Sequence, residues 1–154
     1  MLTAKLFAGL AILLVGFAFA SARRPLDMYF HATYIVLSFS HLLFFIALFS
    51  AGFALIYFAA VHWSSHPLNN SLGITHFVFV AVAFFLISFA IVELGGITLR
   101  EGAVYFATAR MEGDQVPLLS PLVALNIGAL SFLAGCAIFV VNLGWTAIRA
   151  FREG

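Results

Sequence analysis

The chain has 154 residues, of which 64% are apolar and only 8% are charged, and its formal net charge is +1. Ordinary globular chains have about 45–50% apolar and about 25% charged residues, so this chain has too few charges to cover a water-facing surface. The composition excludes a soluble globular fold, a disordered chain and a basic nucleic-acid-binding surface. A single cysteine, Cys136, excludes a disulfide framework. The sequence therefore predicts an integral membrane protein.

Four apolar stretches are long enough to cross a bilayer as helices, which takes about 20 residues each. They cover about 2–22, 29–63, 72–99 and 121–150. The second stretch would be roughly 50 Å long as one helix, so we expect it to tilt or to begin with a turn in the membrane interface. The predicted fold class is all-α, a bundle of four transmembrane helices that forms a single domain over 1–154.

The first stretch has a second interpretation, because Lys5, an apolar core and the run AFASA before Arg23 also fit a secretory signal peptide. We expect a true membrane span. The joints at 21–27, 62–71 and 99–120 contain or adjoin all four prolines, where a missing backbone donor does least harm. The basic residues divide almost evenly between the two sides of the membrane, so they leave the orientation open.

Ionisable side chains at membrane depth are energetically costly and are therefore candidate functional residues. His41 lies well inside the second stretch, where a neutral imidazole can bind a haem iron or another metal. The alternative is a histidine that hydrogen-bonds a hydroxyl or carbonyl group on a neighbouring helix. His76, near the start of the third stretch, has a simpler interpretation as a contact at a helix end. Glu93 is expected to be uncharged or paired with Arg100.

The remaining polar and small residues favour structural roles. Gly128, Ser131 and Gly135 form a stripe that predicts close packing of the fourth span against another helix. Cys136 is expected to be a small apolar filler. The other polar positions are two histidines in the second joint and two asparagines in the fourth span: His62, His66, Asn126 and Asn142. The sequence contains no Walker loop, zinc signature or nucleophile elbow, so no complete enzyme active site can be assembled from it.

The run PLDMYFHATYIVLSFSHLL over 25–43 resembles a segment of subunit I of haem–copper oxidases. In that family a stretch of the form LHDTYFVVAHFHYVL opens the tenth helix. The runs 72–100 and 120–149 are similar to the eleventh and twelfth helices of the family, and the first span then takes the place of the ninth. The resemblance covers nearly the whole chain and about the last third of a full subunit I. The residues of the first run that match in register are His31, Thr33, Tyr34, Val36 and His41.

The resemblance implies roles for particular residues. His41 matches an axial ligand of the low-spin haem, whose second histidine would have to come from another chain. Phe39 stands where the family has the ligand of the high-spin haem, so the oxygen-reducing centre is lost and no copper is expected. His31 matches a magnesium ligand, although Ala32 replaces the neighbouring carboxylate. Arg100 keeps the second of two arginines that pair with haem propionates.

Three functions stay open on these observations. The first is a cytochrome c oxidase subunit I-like membrane subunit of a respiratory oxidase-type complex. In it His41 would ligate a b- or a-type haem, shared with another subunit or with copies of the chain in a homotrimer. The second is a non-catalytic accessory or assembly subunit without haem, and the third is an unrelated carrier or sensor. We expect the oxidase-type subunit, in a bacterial or archaeal cytoplasmic membrane and at most as one part of an oxidoreductase.

Overall fold

The computed structural model describes residues 2–21, 25–30, 33–63, 68–101 and 120–153, with side chains for all of these except 25–37, 63 and 94–101. The helices of this described part are α1 Leu2–Ala20, α2 Phe39–Trp63, α3 Asn70–Glu101 and α4 Pro121–Glu153. Each of the four is long and apolar enough to cross a membrane. The predicted all-α membrane bundle is therefore confirmed.

The starts of α3 and α4 are fixed by capping residues. The Asn69 side-chain oxygen accepts hydrogen bonds from the backbone N–H groups of Ser71 and Leu72, at 2.9 and 3.4 Å. The Ser120 hydroxyl accepts one from the backbone of Val123 at 3.3 Å. Pro121 is then the first residue of α4, where its missing N–H is not needed. These caps satisfy backbone donors that the first turn of a helix leaves without partners.

A two-stranded antiparallel hairpin precedes α2, where the sequence predicts a membrane span from residue 29. Strand β1, Pro25–Phe30, pairs with strand β2, Thr33–Ser38, and β1 lies against α3. Aromatic and β-branched residues in β2 favour an extended strand over a helix. Because α2 begins only at Phe39, its 25 residues are about 37 Å long, which is close to the thickness of a bilayer. The hairpin therefore takes the place of the expected interfacial turn.

The helices form two antiparallel pairs, α1 with α2 and α3 with α4. Phe19 near the end of α1 contacts Phe44 near the start of α2, with ring centroids 5.5 Å apart. The two pairs join along α1 and α3, which run parallel, and Thr3 of α1 meets Gly73 of α3. One end of the bundle therefore contains the starts of α1 and α3 and is called the Asn69 end. The opposite end, which contains the hairpin, is called the hairpin end.

Glycines bring α3 and α4 close together. A Cβ atom added at Gly128 would lie 2.9 Å from a side-chain carbon of Ile87 and 3.3 Å from the backbone oxygen of Ala83. One added at Gly135 would lie 3.0 Å from Val80. Contacts this short leave no room for a side chain, so small residues are required along this face of α4. The predicted packing role of the small-residue stripe is confirmed for Gly128 and Gly135, and that of Ser131 stays a prediction.

The outward surfaces of the helices are apolar. Ile12, Leu48, Phe85 and Leu130 are each between 67% and 74% exposed, one on each helix. Exposure of so many large apolar side chains on one small surface is unfavourable in water and favourable in hydrocarbon. The surrounding partner of these faces is therefore a lipid bilayer.

Candidate functional site

The interior of the Asn69 end is organised around His76, the sixth residue after the Asn70 that begins α3. Its side chain is fully buried, with 0% exposure. Rings from all three other helices surround it: Phe7 of α1, Phe53 and Tyr57 of α2, and Phe139 of α4. His76 is therefore a central core residue and not the helix-end contact that the sequence predicts.

The four rings enclose the imidazole from several directions. Phe139 stacks on it with centroids 5.0 Å apart and an angle of 28°, whereas Phe53 presents its edge at 4.7 Å and 84°. Phe7 and Tyr57 lie at 5.1 and 5.7 Å in tilted arrangements. Edge-to-face and offset contacts of this kind are favourable pairings of aromatic rings. The space around His76 is thus filled by side chains of the bundle itself.

One hydrogen bond ties His76 to the neighbouring helix pair. The Tyr57 hydroxyl and Nδ1 of His76 are 3.0 Å apart, and Tyr57 is itself only 3% exposed. Nε2 of His76 is buried and has no hydrogen-bond partner among the described residues. A buried polar atom without a partner costs about 1–3 kcal/mol, so the aromatic contacts and the Tyr57 bond must offset this cost.

A second polar contact closes the same end of the bundle. Asn142 of α4 is fully buried, and its side chain exchanges two hydrogen bonds with the backbone of Asn69. The Asn69 N–H donates to the side-chain oxygen at 2.9 Å, and the side-chain Nδ2 donates to the Asn69 carbonyl oxygen at 3.1 Å. Because the pair is bidentate, it fixes the segment before α3 against α4 in one register.

An open crevice lies beside this cluster at the Asn69 end. Its polar lining comes from Thr3, Tyr57, Asn69 and Asn70. The Asn69 oxygens in that lining already accept hydrogen bonds from the α3 backbone and from Asn142. The polar lining of this crevice therefore consists of neutral hydrogen-bonding groups, which position helices and carry no charge.

His41 lies in a different environment, at the hairpin end. It is the third residue of α2, and its side chain is exposed. Just before it, the Ser38 hydroxyl bonds that of Ser40 at 2.6 Å and accepts from the backbone N–H of Ser40 at 3.3 Å. His41 therefore presents its imidazole outward from the bundle, toward whatever surrounds this end of α2.

The described residues bring no second histidine to His41. His62 is also exposed but lies 21 positions further along α2, about 31 Å away, and it stacks on Phe58. His76 lies toward the Asn69 end with its ring enclosed. The described part of the chain also contains no group of three or more His, Cys, Asp or Glu side chains able to hold a metal ion. A haem with two histidine ligands therefore does not fit within this single chain as described.

The remaining predicted site residues lie partly outside the described residues. Arg100 lies in the last turn of α3, and its side chain is outside the described residues, as are His31 and His66. Glu93 and Asn126 are exposed, and Cys136 is partly buried. The proposed pairing of Glu93 with Arg100 and the magnesium role of His31 remain predictions.

Sequence reasoning missed the role of Tyr57 and did not connect Asn142 with Asn69. Each is a polar residue within or beside an apolar run, which is the available signal. The signal does not name partners, however, because Asn69 and Asn142 are 73 positions apart and Tyr57 and His76 are 19 apart.

No family model, no curated protein and no solved structure matches the chain.

Proposed function

We propose that the chain is an integral membrane subunit of a respiratory oxidase-type complex and that it acts through contacts with other chains. The proposal rests on the likeness of 25–43 to the oxidase segment and on one structural observation, the outward exposure of His41 at the start of α2. An imidazole on the surface of a membrane helix is available to a neighbouring subunit. The membrane concerned is the cytoplasmic membrane of a bacterium or archaeon.

A haem enters this proposal only as a shared group. The resemblance implies that its second histidine ligand would come from a different polypeptide, and the other described histidines, His62 and His76, are out of reach of His41. A bound b- or a-type haem would supply one-electron transfer. This chain would contribute His41 as one ligand of the iron and Arg100 as a partner for a propionate. The other subunit or further copies of the chain, as in a homotrimer, would complete the site. Neither His41 nor Arg100 would bind the copper or form part of an oxygen-reducing site.

A second candidate is a non-catalytic accessory or assembly subunit of the same kind of complex. The observation that favours it is the interior around His76, where four aromatic rings and the Tyr57 hydroxyl occupy the surroundings of the most deeply buried ionisable group described. Such an interior stabilises the bundle. The membrane-facing surfaces then provide the contacts with other subunits.

The test is a reduced-minus-oxidised visible spectrum of the full-length protein, purified from its native membrane together with its bound subunits, with haem quantified per chain. His41→Ala is compared with His62→Ala, since both histidines are exposed on α2 and lie at its opposite ends. A shared haem predicts that low-spin bands disappear in His41→Ala and persist in His62→Ala.

Bands that are unchanged in both variants, together with retained oxidase activity, would support the accessory role and exclude His41 as a ligand. A purified protein that carries no oxidase subunits, and whose deletion leaves oxidase activity intact, would contradict the proposal in both forms.

A further inference from the structure

The outward face of α4 carries one amide among apolar side chains. Asn126 is exposed, and its neighbours on the same surface, Val123 and Leu130, are 46% and 67% exposed. Nine positions, or about two and a half turns, separate Asn126 from Gly135, which packs on α3. The two residues therefore point in opposite directions, and Asn126 lies at the centre of the face that turns away from the bundle.

Asn126 also lies deeper in the membrane than the exposed Glu93 of α3. Gly128 packs against Ile87, and the two helices are antiparallel, so Asn126 lies near the level of Ile87. The exposed Glu93 is six residues beyond Ile87 toward the hairpin end, about 9 Å along α3. Since Asn126 is only about 3 Å beyond Gly128 in that direction, its amide lies roughly 6 Å inside the level of Glu93.

An amide at this depth needs a hydrogen-bonding partner. Its short side chain lacks the reach by which lysine and arginine bring their charges to water, and lipid chains offer neither donors nor acceptors. The amide carries both kinds of group, so it is complementary to a second amide. A copy of the same chain, related by a rotation axis along the membrane normal, has its own Asn126 at the same depth.

We propose that α4 is a self-association surface, in which Asn126 hydrogen-bonds Asn126 of a second copy of this chain. Gly144 lies five turns further along the same face, and a Cβ atom added there meets nothing within 4 Å. Ala137 is exposed on that face between them. Small residues at these positions let two parallel α4 helices approach closely. The inference depends on the helix geometry and not on the oxidase-type function.

The experiment measures self-association of the full chain in liposomes, by energy transfer between donor- and acceptor-labelled copies as lipid dilutes the protein. Asn126→Leu should weaken association roughly tenfold, which corresponds to an interhelical hydrogen bond between polar side chains in a membrane. Asn126→Gln keeps the amide and should retain most of the association. Both substitutions are at an exposed position, so unchanged helicity by circular dichroism confirms that the variants fold.

Disulfide cross-linking locates the surface in the same membranes, in a Cys136→Ala background. Leu133→Cys lies on the Asn126 face and should form a dimer under mild oxidation, whereas Ile127→Cys, about 100° around the helix from Asn126, should not. Equal association of Asn126→Leu and the unchanged chain would overturn the proposal. So would a monomer at every lipid dilution, which would mean that lipid or a different protein covers this face.

Discussion

His41 and His76 lie near opposite ends of the bundle, and they differ in how far their side chains are buried. His76 is enclosed by aromatic rings from three other helices and bonded to Tyr57, whereas His41 is exposed at the start of α2. Both are single histidines in apolar runs, and by sequence His41 is the stronger candidate for a buried ligand. The difference shows that a histidine's position within a hydrophobic stretch does not determine whether it faces the interior or the surroundings.

Substitutions in the packed interior and on the outward surface should differ in their effect on stability. For each of them the free energy of unfolding is measured by reversible unfolding in mixed detergent micelles, followed by circular dichroism. The changes at Phe7, Gly128 and His76 are each matched with a change of the same chemistry at an exposed position.

Removal of the Phe7 ring should have the largest effect. Phe7 is fully buried and contacts Phe53, Tyr57, His76 and Phe77. We expect Phe7→Ala to lower the free energy of unfolding by about 3 kcal/mol, at the low end for such truncations, because the unfolded ring returns to an apolar detergent environment and not to water. The control Phe17→Ala, at a side chain 64% exposed, should cost less than about 0.5 kcal/mol. Equal costs would refute the assignment of Phe7 to the core.

A methyl group added at Gly128 should destabilise α3 against α4. The new Cβ would press on backbone atoms of Ala83 and Ile87 at 3.3 Å, which cannot move without shifting the helix. The expected loss for Gly128→Ala is about 2 kcal/mol. Gly16→Ala is the matched control, because its Cβ would meet nothing within 4 Å, and it should be neutral or stabilising by up to about 1 kcal/mol. A neutral Gly128→Ala would mean that the two helices are further apart than described.

The hydrogen bond between Tyr57 and His76 should appear as a coupling between the two side chains. Tyr57→Phe removes the hydroxyl and leaves both ring nitrogens of a fully buried imidazole without a partner, at a cost of about 1–2 kcal/mol. In a His76→Phe background the same change should cost at least about 0.5 kcal/mol less. Strictly additive costs in this double-mutant cycle would show that the bond contributes nothing.

Replacement of His41 should have the smallest effect on stability. His41→Ala removes an exposed side chain, so it should change the free energy of unfolding by less than about 0.5 kcal/mol. His76→Ala is the comparison, because it empties the centre of the ring cluster and should cost several times as much. A large loss in His41→Ala for the isolated chain would show that its imidazole packs within the bundle.

Much of the fold could be predicted from the sequence, because membrane helices depend mainly on local composition. The ends of α4 and the close approach at Gly128 and Gly135 follow from an apolar run, a proline and a small-residue stripe. The start of α2 could not be predicted in this way. Residues 29–38 belong to an apolar run of the kind that is typical of a membrane helix. The hairpin forms instead because its strands pair, with Tyr29 opposite Tyr34 and Pro25 opposite Ser38.

The candidate site depends on long-range contacts to a much greater degree. The sequence alone determined that this protein lies in a membrane, that it has four helices of spanning length and that few of its side chains are ionisable, because these properties are sums over neighbouring residues. Tertiary structure decided that His76 meets Phe7, Tyr57 and Phe139 and that His41 faces outward. The physical reason is that uniformly apolar helices have no polar face to mark their inner side, so only the packing of neighbouring helices selects it.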